Sequence, residues 1–368
     1  MITVGVLFGG RSGEHEVSRC SAASVFTYLD RAKYNVIAIG IDYDGRWYPQ
    51  NNPSVIEHKD FGRVLDFKKE GQWLVSNFYD NGKLGIVDIS SGNKIYIDVV
   101  FPVVHGTFCE DGTLQGFLDL ALVPYVGAGV SGSAIGMDKD VAKRLLKEAG
   151  LPVVPWKKVT SLLWKENRDL ICDDIENEFG FPCFVKPANA GSSVGVSKVK
   201  SRGELGSAID EAFLWDNKVL VERSINAREI EFSVLGNDSP IVSIAGEIRP
   251  KHEFYSYEAK YIDSNGAELV IPARLDDVKL KEMQNSVLKA YLALECCGMA
   301  RVDLFLDRDS GDFYINEINT IPGFTSISMY PKLWEHSGIK YGELLDRLIE
   351  LAVERWNRRL GIKIIHEN

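Results

Sequence analysis

The chain has 368 residues, 45% of them hydrophobic, and a formal net charge of -10, which is enough apolar content for a large core and enough length for two or three domains. The acidic balance excludes nucleic acid or an anionic membrane as the main partner, because nothing basic enough is present to neutralise phosphates broadly; a local phosphate site stays open. The opening apolar run is too short for a secretory signal and lacks its basic start, no stretch approaches the ~18 apolar residues of a membrane span, and the six cysteines show no metal-ligand spacing, so the sequence predicts a cytoplasmic protein with reduced thiols.

Residues 2–10 (ITVGVLFGG) read as a buried strand ending in glycines, and residues 12–29 as the helix that follows, with Glu14 and Glu16 in its first turn. Further apolar runs at 34–42 and 96–106 predict a small parallel sheet flanked by helices. Between them, residues 71–89 alternate around Asn81-Gly82, a hairpin signal. A helix is expected from 136 onward, with Val141, Leu145 and Leu146 on one face and Gly150 and Pro152 stopping it. A second unit then combines the strand PCFVKPA, the turn NAGSSVG, the strand VSKV, a helix around 204–215 and the strand KVLVERSI. A third region runs from REIEFSVLG to the helix GELLDRLIELAVERW. The expected boundaries are 1–127, 128–224 and 225–368.

The chemistry concentrates in residues 298–324. In MARVDLFL a period of two puts Ala300, Val302, Leu304 and Leu306 on one face and Arg301 and Asp303 on the other. FYINEIN aligns Glu317 with Asn319, and the turn DRDSGD pairs the two strands, so Asp303, Glu317 and Asn319 converge as three hard oxygen donors suited to Mg²⁺. The plainer alternative is a solvated edge hairpin. A phosphate partner is offered by VKPANAGSSVGVSK, with Lys186 at a strand end and a loop of Gly191, Ser192, Ser193 and Gly195, together with Lys139 on the preceding helix. No GxxxxGK[ST] pattern occurs, which argues against a P-loop fold. Glu222 and Glu229 are candidate acceptors for an adenine amino group and ribose hydroxyls, though isolated glutamates are more often surface charges. His105 opens HGTFCEDGTLQG at a strand's carboxyl end, where parallel α/β units bind ligands; a satisfied structural histidine is the equal alternative.

These segments resemble the D-alanine:D-alanine ligases of the ATP-grasp superfamily, and the similarity spans nearly the whole chain. HGTFCEDGTLQG is similar to the family's first signature, HGxxGE[DN]GxxQG, and GMARVDLFL with INEINTIPG to its second. The resemblance implies an α/β (in parts α+β) ATP-grasp fold with a Rossmann-like N-terminal domain, a small central lid and a C-terminal mixed-sheet domain. It implies ATP and Mg²⁺ as cofactors, with two ions held by Asp303, Glu317 and Asn319, and Mn²⁺ as a substitute. Lys139, Lys186 and Ser193 would hold phosphates, and Glu222 and Glu229 adenine and ribose.

Glu14 would receive the ammonium of the first D-alanine, with His105 nearby, while Arg301 and the N–H of Gly323 would form the oxyanion hole. Lys260, Ser328 and the N–H of Met329 would take the second carboxylate, and Tyr261 would bond Ser192 and Glu14 to pin a lid shut. A homodimer is typical of the family. The alternatives are a D-alanine:D-serine ligase, a non-catalytic nucleotide-binding regulator, or a carboxylate-amine ligase for an unrelated peptide; Tyr261 after Lys260 favours D-alanine. Cys109 replaces the usual glycine of the first signature, so strain is expected there if that position needs a positive φ. A reactive thiol at Cys109 is the minor reading.

Overall fold

The computed structural model describes residues 1–80, 83–251 and 266–363. Strand Ile2–Gly9 pairs in parallel with Tyr34–Ile41 on one side and Val99–Pro102 on the other, and Trp47–Gln50 adds an antiparallel edge. These strands are buried almost throughout, as parallel strands covered on both faces must be. The apolar run expected as one strand breaks at Asp98, whose carboxylate accepts the Thr3 N–H at 2.8 Å. Lys94–Ile97 turns instead to a three-stranded antiparallel sheet with Trp73–Asp80 and Lys83–Asp88. Asn81 and Gly82 lie outside the described residues, and Asp80 pairs with Lys83 on either side of them.

The helix expected from 136 begins later, because Asp138 caps it. The Asp138 carboxylate accepts the N–H groups of Asp140 and Val141, so helix Lys139–Glu148 starts after it, and a separate helix, Val130–Met137, precedes it. Leu146 is buried and Leu145 packs partly buried against the same core, as expected, while Val141 is only half-buried and Asp140, Ala142 and Lys143 complete the buried face. Ala142 and Leu146 enter the core of the C-terminal sheet.

The central unit has four antiparallel strands in the order Trp156–Thr160, Lys218–Arg223, Cys183–Pro187, Ser197–Val199. Helices Ser161–Phe179 and Arg202–Ala212 cover it, with a core around Trp164, Ile175, Ile209 and Val221. The C-terminal sheet runs Ala267–Val270, Gly246–Pro250, Ala227–Gly236, Gly298–Asp307, Phe313–Asn319, antiparallel at each step. In the terminal helix Tyr341–Leu360, Leu344, Leu345 and Leu348 share one core with Val4, Phe8 and Phe101 of the first sheet and with Phe324, Tyr330 and Trp334. The first and third regions are thus joined by a common core, whereas the central unit packs largely on itself. Among the described residues no helix is long and apolar enough to cross a membrane.

Candidate active site

A cleft of about 1190 Å³ opens between the central sheet and the C-terminal sheet, and the candidate residues within the described part of the chain line it, except that Gly195 of the glycine-serine loop packs instead near Trp215 and Pro187. Lys260 and Tyr261 lie outside the described residues. The floor is the hairpin of Gly298–Asp307 and Phe313–Asn319, in which Arg301 stands opposite Asn319 and Asp303 opposite Glu317. Alternation therefore brings all four to one face, as the period of two requires. A bulge just past Asp303 shifts the register, so that Leu304 faces Ile315 and the turn-side half of the hairpin is offset from the site.

Around Asp303 the polar groups are closely arranged. The Arg301 Nε and Nη2 each donate to Asp303 at 2.7 Å, and Nε also lies 3.0 Å from Glu231. Burial alone would lower the Arg301 pKa, but Asp303 and Glu231 outweigh it and hold the guanidinium charged. The Asn319 amide nitrogen donates to Asp303 at 3.0 Å, which assigns its oxygen to the acceptor side. Two carboxylates and one amide oxygen on paired strands form a hard donor set that fits Mg²⁺. Lys139 stands beside it, 3.8 Å from Glu317, and donates to Ala190 O at 2.8 Å, tying the floor to the glycine loop.

That loop is the roof. Ser192 and Ser193 both adopt positive φ, at 49° and 62°, a conformation costly for residues with a Cβ and held here by contacts. The Ser192 hydroxyl donates to the Glu14 carboxylate, 178 positions away. Glu14 sits at the start of helix His15–Tyr28, and its Oε2 is so close to Gly106 that a Cβ there would lie at 2.9 Å. Gly323 is likewise confined, since a side chain would meet Ser328 Oγ at 2.7 Å. Ser328 Oγ in turn accepts the Thr325 N–H at 3.0 Å, just before helix Met329–His336.

His105 is 4% exposed and both ring nitrogens are engaged within the protein. Its Nδ1 lies 3.1 Å from Ile321 O, which can only accept, so Nδ1 carries the proton; Nε2 lies 3.1 Å from the Ser21 hydroxyl. Burial lowers its pKa and keeps the ring neutral. His105 thereby joins the first signature to the loop that follows strand Phe313–Asn319. Glu222 is also committed: Oε2 is 2.7 Å from Lys186 Nζ and Oε1 is 3.1 Å from Lys143 Nζ. Burial would raise its pKa, yet the two lysines prevail and lower it.

The strain expected at Cys109 falls instead on Phe108, with φ 66°. Cys109 packs against Gly10, and burial pushes its thiol pKa far up, which removes the reactive-thiol reading. Three cleft or near-cleft residues escaped the sequence reading. Glu110 accepts the Gly106 N–H at 2.7 Å, and burial together with the Glu14 charge pushes its pKa up to about 8. Its signal was present in the CEDG of the first signature. Glu231 stands opposite Asp303 on the neighbouring strand, two positions from Glu229 and therefore on the same face. Lys143 lies four residues after Lys139, one helical turn along the same face.

The sheet order and the cleft between the two sheets define an ATP-grasp enzyme, and solved structures agree. The D-alanine-D-alanine ligase from Coxiella burnetii superposes with a TM-score of 0.80 at 36% identity, covering 98% of each chain. The VanG D-Ala:D-Ser ligase from Enterococcus faecalis superposes with a TM-score of 0.81 at 37% identity, covering 95% of this chain and 99% of that one. Family models described as the D-ala D-ala ligase N-terminus and C-terminus match residues 3–128 and 145–350. The D-alanine-D-alanine ligase A of Bradyrhizobium diazoefficiens is 49% identical over 98% of both chains. The D-alanine-D-alanine ligase of Thermoanaerobacter pseudethanolicus is 51% identical over 97% of this chain and 98% of its own. The chain belongs to the D-alanine-D-alanine ligase family.

Proposed function

We propose that the protein joins two D-alanines into D-alanyl-D-alanine, with ATP cleaved to ADP and phosphate through transfer of its γ-phosphoryl group to the first carboxylate, for peptidoglycan precursor synthesis. The observation that carries this is the shared cleft: the oxygens of Asp303, Glu317 and Asn319, the ammonium groups of Lys139 and Lys186, and the carboxylate of Glu14 all face one space. Asp303, Glu317 and Asn319 would hold two Mg²⁺ ions, with Mn²⁺ as a substitute, and the metal would supply charge neutralisation on the ATP phosphates. Lys139, Lys186 and Ser193 address the phosphates, and Glu229 the ribose. Glu222, with Lys186 on one oxygen and Lys143 on the other, would accept from the adenine amino group with its remaining lone pairs.

Glu14 takes the ammonium of the first D-alanine, in the corner that His105 and Glu110 stabilise. The D-alanine carboxylate attacks the γ-phosphorus, the bond to the β-phosphate oxygen breaks, and ADP leaves behind an acylphosphate; in such transfers protein groups chiefly position and neutralise. The neutral amine of the second D-alanine attacks the acyl carbon. Arg301 and the Gly323 N–H stabilise the oxyanion, the C–O bond to phosphate breaks, and the departing phosphate takes up the proton that the amine gives up. Lys260, Ser328 and the Met329 N–H would receive the second carboxylate, and Tyr261 would join Ser192 and Glu14 in keeping out water, which would otherwise hydrolyse the acylphosphate. A cytoplasmic homodimer, with functional divisions near 127 and 224, completes the proposal.

A D-alanine:D-serine ligase is kept as the second reading because one structural relative of comparable similarity carries that name. A non-catalytic regulator would be marked by a broken metal set or missing phosphate lysines, and neither mark is present. Phosphate release from ATP, measured with D-alanine, D-serine, D-lactate and L-alanine and with products weighed by mass spectrometry, tests the reading. D-alanine-dependent release with D-alanyl-D-alanine as product is expected. Release indifferent to D-alanine would assign the chain to another amine ligase, and equal activity with L-alanine would overturn the stereochemistry.

A further inference from the structure

Lys143 lies behind the cleft wall rather than in it, and its side chain is only 1% exposed. It projects from helix Lys139–Glu148 one turn after Lys139, toward the central sheet. Its ammonium lies 3.1 Å from Glu222 Oε1 and 3.4 Å from Val154 O, with the Trp156 ring at 5.8 Å. Glu222, 3% exposed, presents its other oxygen to Lys186 at 2.7 Å. The sheet register explains the meeting. Lys186 stands opposite Leu220 and Trp156 opposite Glu222, so Lys186, Glu222 and Trp156 share one face. A buried ammonium is costly unless it is paired, and packing alone would be served better by an apolar side chain of the same length. The Lys143–Glu222–Lys186 chain carries two positive charges against one negative, and only Lys186 of the two lysines lines the cleft.

We propose that Lys143 is a positioning residue for the nucleotide: it neutralises Glu222 from outside the cleft, so that Lys186 is oriented by that carboxylate without being cancelled by it. This rests on the reading of the cleft as an ATP site. Without Lys143, Glu222 and Lys186 form a closed neutral pair, and the Lys186 ammonium is drawn from the triphosphate toward the carboxylate. Lys143 acts only through Glu222, since it has no place in the cleft lining itself.

Calorimetric binding of Mg–ADP and steady-state kinetics test the proposal. Lys143→Met is expected to weaken Mg–ADP and raise KM for ATP roughly ten- to hundredfold, the scale of one charge-assisted hydrogen bond, while KM for D-alanine stays unchanged. Lys143→Arg restores most of the loss. In a Glu222→Gln background, Lys143→Met has no further effect on nucleotide binding. Should Lys143→Met fail to fold, Lys143→Gln, which keeps a donor for Glu222 without the charge, replaces it in both backgrounds. Equal nucleotide binding with and without the Lys143 charge, or the same loss in both backgrounds, overturns the proposal. Wild-type protein that binds no Mg–ADP overturns instead the ATP reading beneath it.

Discussion

The floor and the roof of the cleft are built by different means. On the floor, Arg301, Asp303, Glu317 and Asn319 are placed by a backbone ladder that continues through Ala227–Gly236 to the rest of the C-terminal sheet. On the roof, Ser192 and Ser193 hold positive φ, and the ties are side-chain contacts between distant segments: Ser192 with Glu14, and Lys139 with Ala190. A ladder outlasts the loss of any one side chain, whereas a tie of single hydrogen bonds does not. The floor is therefore a rigid template, and the roof is the part whose closure depends on individual residues.

The largest expected effect attacks the rigidity of the floor sheet. Glu247 is buried, receives Arg228 through two bonds at 3.0 and 2.8 Å and Arg249 at 3.0 Å, and these arginines pull its pKa down to about 2 against the opposing effect of burial. Glu247→Ala leaves the partly buried Arg228 without a carboxylate, with only Arg274 O still accepting from its Nη2, so urea denaturation is expected to show a loss of about 3 kcal/mol, the low end for breaking a buried pair. Glu317→Gln should leave stability nearly unchanged, because the ladder is intact, while D-alanine-dependent phosphate release falls by about a hundredfold or more. Coupled loss of folding and turnover in that variant would blur the contrast between ladder and side chain.

Ser192→Ala removes one roof tie. It is expected to lower turnover roughly tenfold, the scale of a hydrogen bond to a charged group, with no change in the urea midpoint. A further effect, read in stability rather than turnover, is a pH slope at the corner of Glu14 and Glu110. The folded Glu110 pKa, about 8, lies above the reference 4.5, so the folded state keeps a proton that the unfolded chain has released between those values. Stability gained from this group is full below about pH 4.5 and is lost as the pH rises toward 8. Glu110→Gln should flatten that fall in a series of thermal melts; an unchanged slope would place the titration elsewhere.

The same contrast explains what the sequence disclosed. The floor was legible because strand alternation is local: one period of two in MARVDLFL and another in INEIN suffice to align the donors. The bulge past Asp303 was not, since it depends on which strand lies opposite. The roof was legible only as a glycine-serine turn, and nothing local tells Ser192 to reach Glu14. Lys143 was hidden for another reason: lysine on a helix ordinarily reads as solvated, and only the tertiary arrival of Glu222 makes its burial tolerable. Likewise the substitution at Cys109 pointed to strain, but the backbone placed the positive φ one residue earlier.

Crystals grown with Mg²⁺ and a non-hydrolysable ATP analogue measure the central claim directly. The account predicts metal density bounded by Asp303, Glu317 and Asn319, with the terminal phosphates between that metal and Lys139 and Lys186. Those three side chains turned to solvent with no ion between them, or a nucleotide bound elsewhere, would contradict it.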